Sequence, residues 1–100
     1  MARKKPDYKF TLQAERDLEN IIDHTVQNWG KEQANAYLEG LESQAQLLAE
    51  NPGLGKIRQE LTEGLLSFPY ESHILYYKKH ACDIVILRVL HQHMDPSNHL

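Results

Sequence analysis

The feature that most constrains this chain is its last apolar run, Asp83-Ile84-Val85-Ile86-Leu87-Arg88-Val89-Leu90-His91, which stops at the polar stretch Gln92-His93-Met94-Asp95-Pro96. The run is rich in β-branched residues, is too short to span a bilayer and ends at a proline, so it predicts a β-strand. Strict alternation sets Val85, Leu87, Val89 and His91 on one face and Ile84, Ile86, Arg88 and Leu90 on the other. A strand apolar on both faces must be central in its sheet and covered on both sides. It also delivers a histidine to its end.

The rest of the chain must supply that cover within 100 residues, the size of one domain. Tyr8, Phe10 and Leu12 alternate with Lys9 and Thr11, which predicts a short strand at or near a sheet edge. From Gln13 the period becomes helical: Ala14, Leu18, Ile21, Ile22, Thr25 and Trp29 share a face, and Gly30 stops the helix. A second helix carries Ala34, Tyr37, Leu38, Leu41, Ala45 and Leu48 and ends at Asn51-Pro52-Gly53. So short a break forces an antiparallel hairpin. By the same spacing Trp29 and Tyr37 belong to the helix core, although they could also form a recognition pair at the hairpin tip.

Residues 53 to 64 show no period and predict a surface connection. Strands follow at Leu65–Phe68, at Ser72–Lys78 and in the final run, joined by turns too short for anything but antiparallel pairing. The expected fold is α+β and two-layered, in the order β-α-α-β-β-β: an N-terminal strand, a helix hairpin and a three-stranded antiparallel meander. One domain covers residues 1–100, with 1–6 a flexible arm and 96–100 a flexible tail. Both helices lie on one sheet face, so the apolar residues of the other face need a partner chain, the connection Pro52–Gly64, or both to cover them.

Composition narrows function mainly by exclusion. With Lys+Arg 11 against Asp+Glu 14, the net charge is −3, which lacks the basic footprint of independent nucleic-acid binding. Arg3-Lys4-Lys5 reads as a solvated arm. The single cysteine, Cys82, rules out an intrachain disulfide and suits a reducing compartment. No stretch has the length of a transmembrane helix or the layout of a signal peptide, so the expected setting is the cytoplasm, without a membrane partner.

The motifs along this order resemble the RelE/ParE toxin superfamily. They are Ala14-Glu15-Arg16-Asp17-Leu18, Trp29-Gly30-Lys31-Glu32-Gln33-Ala34, and Ala49-Glu50-Asn51-Pro52-Gly53-Leu54-Gly55. Gly64-Leu65-Leu66-Ser67-Phe68-Pro69, Ser72-His73-Ile74-Leu75-Tyr76-Tyr77 and Leu87 to Asp95 resemble its ParE branch specifically. The resemblance implies the toxin of a type II toxin–antitoxin pair, neutralised by a ParD-like antitoxin in a hetero-oligomer and acting by poisoning DNA gyrase. It implies no cofactor and no catalysis. The rival RelE branch cleaves messenger RNA on the ribosome.

Cleavage of RNA through its ribose hydroxyl needs acid–base groups and cations around the developing charge. The candidates, His91, Arg58, Arg88, Tyr76 and Tyr77, are few; Gln92 follows His91, and the strand from Ser72 to Tyr77 has no lysine or arginine. Alternation also separates His91 from Arg88 unless a bulge intervenes. His91, His93 and Asp95 have metal-ligand chemistry, but so common a spacing predicts no metal site. Cys82 beside His80 and Asp83 lacks a positioned base. The expected contacts to target or antitoxin are therefore Arg58, Ile84, Ile86, Arg88, Leu90, His91, His93, Met94 and Asp95.

Overall fold

The computed structural model describes residues 5–100, so Arg3 and Lys4 of the basic cluster, with most of the expected N-terminal arm, lie outside the described residues. The order is β1 (Tyr8–Phe10), α1 (Leu12–Trp29), α2 (Lys31–Glu50), a 3-10 turn (Pro52–Leu54), β2 (Lys56–Ile57), β3 (Leu66–Tyr70), β4 (His73–His80), β5 (Asp83–His91) and a second 3-10 turn (Pro96–Asn98). The expected β-α-α-β-β-β order holds, with one strand more than expected. Lys56 and Ile57 pair antiparallel with Ser67 and Leu66, inside the stretch read as plain connection. Two residues are too few to display a period.

The sheet is mixed, in the order β1-β5-β4-β3-β2. β1 lies parallel to β5 at one edge, and β3, β4 and β5 form the antiparallel meander. Thr11 joins strand to helix. Its N–H donates to the Ile86 carbonyl (3.0 Å), and its Oγ1 both accepts from the Ala14 N–H (3.1 Å) and donates to the Leu87 carbonyl (2.8 Å). It thus caps α1 and finishes β1. Leu12, expected on the strand, opens the helix instead and stands exposed.

Ala14, Leu41, Ala45, Leu48 and Ala49 of the helices bury against Leu66, Leu75, Tyr77, Ile84, Ile86 and Val89 of the sheet. A second, smaller cluster of Leu65, Tyr76 and Leu90 occupies the other sheet face, with Leu61, Ile74 and Leu87 against it. The expected face assignment of β5 is thereby corrected. Ile84 and Ile86 face the helices with Val89, whereas Arg88 and Leu90 share the opposite face with Leu87. The cause is a β-bulge: Tyr77 pairs with Ile86 but Tyr76 with Arg88, leaving Leu87 as the extra residue that inverts the alternation.

The far face is covered in part by the chain itself. The Arg58 N–H donates to the Leu65 carbonyl (2.8 Å) and the Leu65 N–H to that of Thr62 (3.1 Å), folding the connection back so that Leu61 and Leu65 lie on the sheet. Val85 and Leu87 stay half-buried. The end of the chain, expected to be a flexible tail, turns at Pro96–Asn98, and the His99 carbonyl accepts from Arg88 Nη1 at 2.8 Å.

Candidate functional site

β1 ends at Phe10, so β5 has no strand neighbour on that side beyond Ile86. Asp17, in the second turn of α1, takes the place of one: its Oδ2 accepts the Val89 backbone N–H at 3.0 Å. The same carboxylate grips Arg88 twice, Nε to Oδ2 at 2.8 Å and Nη2 to Oδ1 at 2.9 Å, with both side chains more than four-fifths buried. The carboxylate raises the Arg88 pKa further, so the guanidinium is charged, paired and turned along the sheet edge. It offers no free cation to a substrate.

Arg58 is likewise engaged. Its Nε meets Glu60 Oε2 at 2.8 Å, Nη1 donates to Ser67 Oγ at 3.4 Å, and the guanidinium lies 5.9 Å from the centre of the Tyr76 ring. That pairing holds the Glu60 carboxyl below the ordinary carboxylate range. Arg58 belongs to the far sheet face. His91, in step with Val89, belongs to the helix side, so bulge and alternation together keep it apart from both arginines.

What the structure does bring to His91 is a string of rings. His73 is its direct partner across β4 and β5, with ring centroids 5.5 Å apart. Tyr37 of α2 lies edge-on to His73 at 5.7 Å and to Tyr70 at 5.1 Å, and His93 follows His91 at 5.1 Å. Hydrogen bonds tie the string together: Tyr70 Oη donates to the Tyr37 carbonyl at 2.9 Å, and Tyr37 Oη and His73 Nδ1 are 3.2 Å apart. His91 Nδ1 accepts the His93 backbone N–H at 3.2 Å, which fixes the His91–Asp95 turn.

Burial, then the neighbouring Tyr70, pushes the Tyr37 phenol well above its ordinary range, so it keeps its proton. Burial and then the neighbouring His91 hold His73 below the ordinary histidine value. Tyr37, Tyr70, His73 and His91 line an open cleft of ≈ 640 Å³ between the C-terminal end of α1, the start of α2 and the β3–β4 turn. His73 and His91 also line a second cleft of ≈ 320 Å³ that reaches Met94, Asp17 and Ile21. No lysine or arginine lines either.

Of the residues expected to touch a partner, His91, His93 and Met94 gather at the end of β5. Asp95 accepts from Ser97 N–H and Oγ (3.0 and 2.7 Å), capping the last turn, and these bonds lower its pKa. Ile84 and Ile86 have no exposed surface at all, and Leu90 is 2% exposed, so none of the three presents a contact face. Among the described residues no group of three or more His, Cys, Asp or Glu side chains is arranged to hold a metal ion. No described helix is long and apolar enough to cross a membrane.

The sequence reading missed His73 and Tyr70, and it placed Trp29 in the core where the structure leaves it 75% exposed. Position 29 does fall on the apolar stripe, but it is the last residue of α1 and borders an open cleft instead of packing into the core. The pairing of His73 with His91 was legible only to a reading that also knew of the bulge.

A sequence model of the ParE toxin of the type II toxin–antitoxin system parDE matches residues 8–96. The chain belongs to the ParE toxin family. It is 34% identical over 93 residues to Toxin ParE1 of Caulobacter vibrioides, which covers 93% of this chain and 96% of that protein. Its fold is similar to that of a chain in a structure titled as the chromosomal ParDE system from P. aeruginosa, with TM-score 0.73 and 25% identity over 87% of this chain and 96% of the other. A chain of the toxin–antitoxin complex RelBE2 from Mycobacterium tuberculosis is similar at TM-score 0.62 and 26% identity, over 91% and 95% of the two chains. In this ParE family member, then, the final strand and the helix hairpin together build a ring-lined end of the sheet that carries no lysine or arginine.

Proposed function

We propose that this ParE-family toxin acts by binding and poisoning DNA gyrase, and that a ParD-like antitoxin neutralises it in a hetero-oligomeric complex. The observation that carries this reading is the disposal of the cations: Arg88 is held by Asp17 at the sheet edge and Arg58 by Glu60 on the far face, and neither arginine lines the clefts at His91. A phosphoryl-transfer site would need them free and converging on the acid–base groups. The likeness to a chain from a ParDE system supports an antitoxin partner. Contact residues are expected at His91, His93, Met94 and Asp95, with Arg58 and Arg88 at the rim.

A second reading, a ribosome-dependent endoribonuclease of the RelE kind, draws on the likeness to a chain of the RelBE2 complex. Purified gyrase with supercoiled plasmid separates the two. Gyrase poisoning gives linear DNA after detergent and protease treatment, in proportion to added toxin. Transcript cleavage in a translating extract, with no trapped gyrase–DNA complex, overturns the proposal.

A further inference from the structure

Trp29 is the most exposed of the large hydrophobic side chains described, and it stands at the mouth of the ring-lined cleft rather than alone on a surface. Tyr37, Tyr70, His73 and His91 form the wall beside it, and Glu71 in the β3–β4 turn is the one carboxylate there. Exposed tryptophan clustered with tyrosine is the composition of a protein-contact hot spot, in which rigid rings bury much area with little loss of side-chain freedom. The absence of cationic lining argues against a phosphate or a nucleic acid as the occupant.

The hydrogen-bond inventory narrows the choice further. Tyr70 spends its hydroxyl proton on the Tyr37 carbonyl, and Tyr37, which keeps its own, has His73 Nδ1 within reach. His91 Nδ1 accepts from the His93 N–H, so in the neutral ring the proton sits on Nε2. The cleft therefore offers ring faces and edges, an imidazole donor and a carboxylate acceptor. A tyrosine is complementary to all three, and its larger ring covers more of the aromatic wall than a histidine making the same hydrogen bonds would. A tyrosine stacks through its ring, accepts from an imidazole N–H through its oxygen, and donates its phenolic proton to a carboxylate.

The geometry points to this cleft as an anchor pocket for a tyrosine side chain of a partner protein, seated against Trp29 and Tyr37 and hydrogen-bonded through His91 and Glu71. This rests on the reading that the toxin works through protein contacts, and it names the side chain that one such contact requires.

The probe is N-acetyl-tyrosinamide, added to the isolated ¹⁵N-labelled chain at neutral pH, with the phenylalanine and alanine analogues as comparisons. Saturable millimolar shifts are expected for the Trp29 indole N–H and for the amides of Tyr37, His73 and His91. The phenylalanine analogue should bind at least about tenfold more weakly, the loss of both hydroxyl hydrogen bonds in a partly buried site, and the alanine analogue should give no shifts. Trp29→Ala, at an exposed position, should fold normally and weaken binding several-fold; Glu71→Gln should weaken the tyrosine probe but not the phenylalanine one. Equal binding of the two aromatic probes, shifts elsewhere on the chain, or no saturable shift overturns the inference. Neither gyrase nor antitoxin is present, so such a result leaves the gyrase assay to be judged separately.

Discussion

Asp17 does for β5 what a neighbouring strand would otherwise do, and it does so while holding Arg88. One carboxylate accepts two guanidinium N–H bonds (2.8 and 2.9 Å) and the Val89 backbone N–H (3.0 Å), joining the second turn of α1 to the last strand. A bare strand edge is a template for unwanted pairing, and this side chain blocks it. It also explains how a charged residue sits at the heart of an otherwise apolar run.

Removing that carboxylate strands a mostly buried cation and an N–H together. Asp17→Ala is expected to cost about 2–3 kcal/mol, toward the lower end for a broken buried pair because both side chains keep some solvent contact. Urea unfolding measures it. A loss below about 0.5 kcal/mol would place the pair among ordinary surface ion pairs and refute the assignment.

Gly40 lies inside α2, where alanine normally gains stability. Here a Cβ would collide with the Tyr70 hydroxyl that bonds the Tyr37 carbonyl. Gly40→Ala should therefore destabilise by about 1–3 kcal/mol despite the gain in helix propensity. Combining it with Tyr70→Phe should recover part of the loss, because the clashing oxygen is gone. Strict additivity in the double-mutant cycle would count against the contact.

Two hairpin turns hold non-glycine residues in the left-handed region, Glu71 at φ 53° and Ala81 at φ 55°. Hairpin turns of two residues favour positive φ, which suits asparagine or glycine. Ala81→Gly should raise stability by about 0.5–1 kcal/mol, since relief of the Cβ strain exceeds the added entropy of the unfolded chain. Thermal unfolding checks this, and a lower midpoint for the variant would contradict it.

The folded chain holds His73 below its ordinary value of 6.5 by burial and by its neighbour His91. The unfolded chain then takes up that proton first, so the contribution of His73 is fully present above pH 6.5 and is lost as pH falls through the lower folded value. Stability in urea should decline from pH 7.5 toward pH 5, and His73→Gln should flatten that slope. An unchanged slope in the variant would assign the pH dependence to other groups.

Much of the architecture was legible because it rests on local periodicities. The helix hairpin follows from apolar residues at spacings of three and four with Gly30 between, and the meander from alternating runs joined by turns too short to cross over. The site was legible only at its β5 end. His91, His93 and Met94 lie where the end of the apolar run puts them, whereas Tyr37, Tyr70 and His73 come from three other elements and share no spacing with them. The expected interface roles of Ile84 and Ile86 meet full burial, and the second strand, Lys56–Ile57, was too short to show any pattern.

By itself the sequence determined the α+β class, the order of the elements, the centrality of the final strand and the likeness to the ParE branch, since each is written in hydrophobic period or local motif. Only the tertiary structure decided which residues of that strand face which layer. From the tight turn at Ala81 and Cys82, an unbroken ladder would set His73 opposite Leu90. The extra residue Leu87 shifts the register by one, brings His73 against His91 and carries Arg88 to the sheet edge where Asp17 waits. A bulge depends on what both strands and the helix above can accommodate together, and no single stretch of sequence contains that information.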